Sequence, residues 1–361
     1  MQITHVETFR VTIPGANPPF SWRQGLLGSR PTGEGVVLRL GTDAGVEGVA
    51  LVPRPGSAEV LESLVDRVLR DELVGQDPLH REWIWHRIWE IDRIEELPLY
   101  LLGIVDVALW DLAGRQAGCP SWQVMGGFRT KIPAYASTTT FGSVEQFLDV
   151  ADQCLALGYK AIKLHAFGDA RKDAKLCTAL REHVGDDIEL MYDGSAGFDL
   201  PDAVYLGKSL AAAGYLWYEE PMAEFSISAY SALRKAVDVP LLVAETSDGV
   251  HMNTADFIAA GTATFGVRTS AKLRGGMTGA LRIAHLADSF NVRAEVHSPE
   301  IPSRHLCMAI SNTTYFESII SSDPVRRGPG VSPDGMLYAP TDPGIALPGN
   351  LDLPSELQPY A

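Results

Sequence analysis

Ile188-Glu189-Leu190-Met191-Tyr192-Asp193, Tyr215-Leu216-Trp217-Tyr218-Glu219 and Pro240-Leu241-Leu242-Val243-Ala244-Glu245 are three short apolar runs, each closed by an acid. Their length and their aromatic and branched content read as β-strands. Between them, Pro201 to Ala213 and Ile227 to Ala236 have helical character. The acids fall roughly 26 residues apart, about one strand-plus-helix unit of a barrel. Successive parallel strands bring their tips to one end of the sheet, so Asp193, Glu219 and Glu245 are predicted to converge there. Converging carboxylates repel unless a cation sits among them, and an all-oxygen set suits Mg²⁺. Three unrelated surface acids at strand ends are the alternative at this point.

The alternation extends in both directions. Ile132–Ala136 precedes a helical Val144–Leu157, and Ala161–His165 precedes Ala170–His183. Beyond the acids come Ala263–Thr269 with Thr278–Ser289, Val292–His297 with His305–Asn312, and an eighth strand at Thr314–Ile319. Strands alternating with helices predict a parallel sheet, and eight units predict a closed (β/α) TIM-type barrel, an α/β fold.

Before Lys131 the pattern differs. Residues 3–12 alternate as a strand, and Gly35 to Leu40 with Val46 to Leu51 form a hairpin around Thr42-Asp43-Ala44-Gly45. Helices follow from Ser57 to about Gly126. Residues 13–33 are broken by Gly and Pro and hold Phe20, Trp22 and Arg23. A loop of that length in a compact domain is expected to be functional, here a lid. The last forty residues are rich in Pro and Gly and are expected to wrap back onto the first domain. The predicted division is an α+β capping domain over 1–128, the barrel over 129–322, and a returning segment over 323–361.

The net charge of −15 over 361 residues argues against nucleic acid, whose phosphates need a basic face. Cys119, Cys154, Cys177 and Cys307 are scattered without metal or redox spacing, which suits free thiols in a reducing compartment. The N-terminal residues lack a basic region followed by an apolar run, and no uncharged apolar run reaches membrane length. A cytoplasmic protein is expected, with no membrane partner.

The ordered set of motifs resembles the enolase superfamily, and within it the mandelate racemase-like group. The matching stretches are Val105-Asp106-Val107-Ala108-Leu109-Trp110-Asp111-Leu112-Ala113-Gly114, Gly126-Gly127, Lys163-Leu164-His165, the three acids, Gly275-Gly276-Met277-Thr278-Gly279, and His297 with Glu317. The resemblance covers essentially the whole chain. It implies Mg²⁺ on Asp193, Glu219 and Glu245, and removal of a proton α to a carboxylate through an enediolate. It implies Lys163 beside the substrate or metal-bound oxygens, His165 as base, His297 as a second acid or base, and Glu317 as a hydrogen-bonding partner. A homo-oligomer is also expected. The group more often carries Lys-x-Lys where this chain has Lys163-Leu164-His165. It usually has Asp where this chain has Ser270, so the His–Asp pair that would orient His297 is not intact.

Each residue also has a plainer reading. Lys163 can be a buried partner of Glu219 or Glu245, His297 a satisfied strand-end residue, and Trp22 loop packing. Trp22, Arg23 and Ser195 are the candidate substrate contacts, with Arg23 suited to a second carboxylate or a polyol through its planar fork. Glu220 must point away from Glu219 and reads as structural, and His305 is expected to start a helix. Arg268 and Glu295 share the inward face with Ser270 and His297, which predicts a buried Arg268–Glu295 ion pair under the site. The expected substrate is a small carboxylate, and dehydration of an acid sugar is the expected reaction. Racemisation or epimerisation, and cycloisomerisation of a lactone, use the same groups. A barrel that kept its shape without catalysis is the alternative of another class.

Overall fold

The computed structural model describes residues 1–15, 19–29, 32–53, 57–97, 99–273 and 275–361. Residues 16–18 and 30–31 of the expected lid, Pro18 and Pro31 among them, lie outside the described residues.

The chain starts with β1 (Ile3–Pro14), a short hairpin of β2 (Ser21–Arg23) and β3 (Leu26–Leu27), then β4 (Thr32–Thr42) and β5 (Glu47–Val52). Strands β1, β4 and β5 form an antiparallel sheet in that order. Side chains alternate across it. Val36, Leu38 and Leu40 face the helices, while Val37 packs on the other side with Val11, Val49, Leu347, Leu353 and Leu357. The C-terminal leucines therefore cover a sheet face that would otherwise meet water.

Helices α1 (Ser57–Leu64), α2 (Arg70–Leu73), α3 (Arg81–Glu95), α4 (Leu99–Ala117) and α5 (Ser121–Val124) follow, with a π-helical stretch at Val65–Leu69 between the first two. Helix α4 is buried on every side, with Leu101, Ile104, Val105, Val107, Ala108, Leu109 and Leu112 inside, as befits a helix between two layers. Two of its acids tie those layers together. Asp106 accepts from Thr278 N at 2.8 Å and Thr278 Oγ1 at 2.6 Å. Asp111 accepts from Val49 N at 2.9 Å, Arg115 Nε at 2.8 Å, Ile345 N at 2.6 Å and Ala346 N at 3.2 Å.

The barrel strands are β6 (Lys131–Thr138), β7 (Ala161–His165), β8 (Glu189–Asp193), β9 (Trp217–Glu219), β10 (Leu241–Val243), β11 (Gly266–Thr269), β12 (Arg293–Val296) and β13 (Phe316–Ile320). They pair in parallel from β13 through β6 round to β12. Among the described residues the β12–β13 seam has no ladder. Ala294 N donates to Asn312 O at 2.9 Å and Ser298 N to Glu317 Oε2 at 2.8 Å across it. The intervening helices are α6 (Val144–Ala156), α7 (Ala170–Val184), α8 (Leu200–Ala212), α9 (Ile227–Ala236), α10 (His251–Ala259), α11 (Gly276–Ser289) and α12 (Ile301–Ala309). Ser143, Asp169, Asp199 and Ser226 cap the N-termini of α6 to α9 with their side-chain oxygens, which fixes where those helices begin. A final strand, β14 (Met336–Tyr338), pairs antiparallel to the start of β6. No described helix is long and apolar enough to cross a membrane.

Two helices depart from the sequence expectation. Helix α10 was not anticipated, because Met252-Asn253-Thr254 carries little apolar period. Helix α12 begins at Ile301, so His305 lies inside it rather than at its start; Pro302 in the first turn is the signal that marks the true beginning.

Candidate active site

Inside the barrel, Tyr135, Ala161, Met191, Trp217, Leu242 and Phe265 form an apolar plug. Two residues further along their strands the inward positions turn polar, because a shift of two keeps a side chain on the same face. Ala161 is followed by Lys163 and His165, Met191 by Asp193, and Trp217 by Glu219. Glu245 is delivered differently. It lies two residues past β10, after Ala244 in the left-handed region at φ 68°. One oxygen from each of Asp193, Glu219 and Glu245 lies within 4.8 Å of the others.

Two cations stand among these acids. Lys163 Nζ is 3.0 Å from Asp193 Oδ2, 3.0 Å from Glu219 Oε2 and 3.0 Å from Glu317 Oε1. Arg268 bonds Glu219 through Nε, donates from Nη1 to the Val296 carbonyl at 3.0 Å, and from Nη2 to the Tyr135 hydroxyl at 2.9 Å. Trp217 Nε1 adds a donor to Glu219 Oε2 at 3.1 Å. Glu317 accepts from Ser137 Oγ at 2.9 Å. Burial opposes ionisation of Asp193, Glu219 and Glu317, but Lys163 beside all three, with His165 at Asp193 and Arg268 at the two glutamates, holds them below the usual carboxylate range. Glu245 goes the other way. Burial and the nearby Glu220, Glu219 and Asp193 push it well up, and its Oε2 has no hydrogen-bond partner among the described residues.

The histidines touch opposite ends of the triad. His165 Nδ1 is 2.7 Å from the Thr138 carbonyl. A carbonyl only accepts, so Nδ1 carries a proton and Nε2 is the nitrogen that gains or loses one. That Nε2 lies 3.1 Å from Asp193 Oδ2. His297 Nε2 lies 3.3 Å from Glu245 Oε1, and its Nδ1 has no hydrogen-bond partner among the described residues. Burial drives His297 down to about 3; Glu317 pulls the other way, and Arg268, Lys272 and Lys163 add to the fall.

The β2–β3 hairpin lies over His165. Thr140 N donates to Ser21 O at 2.9 Å and Gln24 N to Phe167 O at 3.2 Å. The Trp22 ring sits 4.7 Å from the His165 ring, and Arg23 Nε donates to Ser195 O at 3.2 Å. Gly168 and Gly197 make room for Arg23; a Cβ on either would come within 3.2 and 2.8 Å of its side chain. Ser195 N in turn donates to Asp193 Oδ1 at 2.8 Å.

Ser270 does not replace the usual acid. Its Oγ accepts from Lys272 N at 3.1 Å and Leu273 N at 3.3 Å, shaping the turn after β11. Arg268 and Glu295 are both buried and stand in register on β11 and β12, yet they are not an ion pair. Arg268 reaches across the barrel to Glu219, while Glu295 accepts from Thr314 Oγ1 at 2.7 Å and from Thr314 N at 3.1 Å. Spacing gave the correct face, but in a closed barrel a long side chain meets other strands as easily as its lateral neighbour. His305 accepts from Trp122 N at 3.3 Å and packs against α5.

Two features had no sequence signal. Lys272 Nζ is paired with Glu300 Oε1 at 2.8 Å, on the loops after β11 and β12. Glu224, in the loop after β9, is fully buried against the segment that carries Glu245. Glu220 points away from Glu219 and takes the Thr246 hydroxyl at 2.7 Å.

The family model for enolase C-terminal domain-like proteins matches residues 146–350, and the model for the mandelate racemase / muconate lactonizing enzyme N-terminal domain matches 10–126. A crystal structure of D-glucarate dehydratase from Agrobacterium tumefaciens complexed with magnesium is similar, at 31% identity and TM-score 0.86, with 96% of each chain covered. A 3,6-anhydro-alpha-L-galactonate cycloisomerase of Streptomyces coelicolor is 28% identical, covering 78% of this chain and 79% of that protein. A D-galactarolactone cycloisomerase of Agrobacterium fabrum is 27% identical, covering 79% and 82%.

Proposed function

The chain belongs to the mandelate racemase / muconate lactonizing enzyme family of the enolase superfamily, and on that premise we propose that it is a Mg²⁺-dependent dehydratase of an acid sugar. The observation that carries this reading is the pair of imidazoles at opposite ends of the carboxylate triad, His165 at 3.1 Å from Asp193 and His297 at 3.3 Å from Glu245. The residues present fit a divalent cation. Asp193, Glu219, Glu245 and Glu317 outnumber Lys163 and Arg268 by two charges, and Glu245 Oε2 has no hydrogen-bond partner among the described residues. When bound, Mg²⁺ supplies positive charge beside the substrate carboxylate, where negative charge grows as the α-proton leaves.

The protein's own groups do the rest. His165 Nε2 takes the α-proton, and the C–H electron pair becomes the double bond of the enediolate. The enediolate pair then forms the Cα–Cβ double bond, the β-carbon–oxygen bond breaks with its pair left on oxygen, and protonated His297 gives that oxygen a proton, leaving water and an enol that becomes the 2-keto acid. Glu317 ties the loop after β12 in place through Ser298 N. Trp22 covers His165 and keeps water from the base. Arg23 and Ser195 stand where a distal carboxylate or hydroxyl of the substrate would lie.

One observation favours a second reading. Hydroxide leaves only with a proton, and burial lowers the affinity of His297 for the one it would supply. A lactone that opens by the same α-proton removal expels a carboxylate, which needs no acid. Lactone cycloisomerisation is thus open to the same site, in keeping with the name of one relative. Incubation with acid sugars and their lactones in D₂O with Mg²⁺ separates the readings. Loss of water with formation of a 2-keto acid supports dehydration, and ring opening without loss of water supports the lactone path. If no substrate exchanges its α-proton, the catalytic reading fails.

On this reading residues 1–128 form the cap, 129–322 carry the site and 323–361 return to the cap. We place the protein in the cytoplasm as a homo-oligomer. Four free cysteines support a reducing compartment, and Trp83 and Ile94, 49% and 81% exposed on α3, support a self-contact.

A further inference from the structure

The three acids of the triad are not held alike. Asp193 is fixed at its side chain by Lys163 and by Ser195 N, and Glu219 by Lys163, Arg268 and Trp217. Glu245 has no such cage. Among the described residues its Oε2 is without a hydrogen-bond partner, Arg268 Nε stands off at 3.8 Å, and its Oε1 faces His297 Nε2 at 3.3 Å. With fewer side-chain partners than the other two acids, Glu245 depends more on its backbone for where it points, and that backbone has left the strand. Ala244 sits at φ 68°, a conformation unfavourable for a residue with a Cβ.

Something must hold it there. Glu224 Oε1 accepts from Ala244 N at 2.5 Å and Oε2 accepts from Thr246 N at 2.7 Å. One buried carboxylate thus grips the amides on both sides of Glu245. Glu220 adds a bond to the Thr246 hydroxyl at 2.7 Å. Glu224 is itself 3% exposed and lies in the loop after the neighbouring strand, so the loop after β9 braces the loop after β10.

We infer that Glu224 is a positioning residue for the metal site, holding residues 244–246 in the left-handed turn that aims Glu245 at the cation. The inference rests on the reading that Asp193, Glu219 and Glu245 bind Mg²⁺. It touches neither substrate nor metal; it acts through the peptide backbone. Removing it frees two buried amides and lets Ala244 relax toward the strand, which swings the third ligand away.

The test titrates metal-free protein with Mg²⁺ by calorimetry and repeats it with Mn²⁺ by electron spin resonance, so that no substrate or turnover is needed. Glu224→Ala and Glu224→Gln are compared with the parent and with Glu295→Gln. The control cuts an equally buried glutamate that also grips an amide, Thr314 N, but lies away from the triad. Glu224→Ala should raise the Mg²⁺ dissociation constant about 10–100-fold, as loss of a ligand's outer support typically does. Glu224→Gln keeps one acceptor and should fall between. Glu295→Gln should lower the thermal midpoint and leave Mg²⁺ affinity within about twofold. A Glu224→Ala protein that binds Mg²⁺ as the parent does overturns the proposal alone. Equal weakening by Glu295→Gln overturns it too, because the effect is then general loosening. A parent that binds no Mg²⁺ overturns the metal reading and the proposal with it. If Glu224→Ala does not fold, Glu224→Gln decides between the same outcomes.

Discussion

Two sets of buried acids in this molecule, one in α4 and one at the barrel mouth, are satisfied in opposite ways. In α4, Asp111 spends both oxygens on Val49 N, Ile345 N, Ala346 N and Arg115, and Asp106 grips Thr278. At the barrel mouth, Asp193, Glu219 and Glu245 face one another, and one oxygen has no donor among the described residues. An acid saturated by backbone amides is finished as a chemical group and serves as a joint. Acids that face each other without enough donors are strained by their own charge, and that strain is released by an added cation. Burial alone distinguishes neither; the identity of the donors does.

The comparison breaks most sharply at the metal ligands. Asp193→Asn or Glu219→Gln should cut turnover on the order of 10³-fold or more, and EDTA should do the same to the parent until Mg²⁺ is returned. The folded state should survive, as circular dichroism would record. Full activity in Asp193→Asn would remove the triad from the chemistry.

Next come the two histidines. His165→Asn should lose both α-deuterium exchange and product, by roughly 10²–10⁴-fold. His297→Asn should keep exchange and lose water elimination. Exchange lost in His297→Asn and kept in His165→Asn would swap the roles.

At the joint the readout changes from rate to stability. Asp111→Ala leaves three amides and Arg115 short of an acceptor, which should cost about 3–5 kcal/mol in a urea unfolding curve. Mg²⁺ affinity should hold. If Mg²⁺ binding fell as far as stability, the joint and the site would be one unit and the contrast would fail.

The smallest effect is in pH. Burial lifts Asp106 from its ordinary 3.8 to about 6, against the pull of Thr278 and Arg81. Between those values the folded protein holds the extra proton, so stability should fall as pH rises through that window and level off above it. The loss is at most about 3 kcal/mol, from roughly 1.4 kcal/mol per pH unit. Asp106→Asn should flatten that slope; an unchanged slope would assign it elsewhere.

Much of this was legible because barrels repeat. Strand tips recur at fixed spacing, so Asp193, Glu219 and Glu245 could be placed together from the sequence, while Lys163, His165, His297 and Glu317 joined them through the family resemblance. What was hidden depends on closure and on loops. Arg268 could be put on the inward face but not assigned to Glu219, because strand spacing does not show that its long side chain passes β10 to reach β9 rather than the residue beside it on β12. Glu224 and Lys272 lie in loops, where no period marks which residue turns inward. The strand read through Ala244 because an apolar run does not reveal a left-handed residue at its end.

Asp111 has one more consequence, for the order in which the molecule is made. Its carboxylate bonds an amide 234 positions downstream, at Ile345, and the outer face of the cap sheet waits for Leu347, Leu353 and Leu357. During synthesis residues 1–117 emerge with that sheet face uncovered and with two of the amides that Asp111 accepts from, Ile345 N and Ala346 N, not yet made. The barrel must be made, and largely folded, before its own cap can be sealed. Such distant closure slows folding and leaves apolar surface open to other chains meanwhile. A nascent chain arrested at residue 340 should carry a protease-sensitive cap sheet, and release through residue 361 should protect it; protection at residue 340 would show that the sheet closes without its clasp.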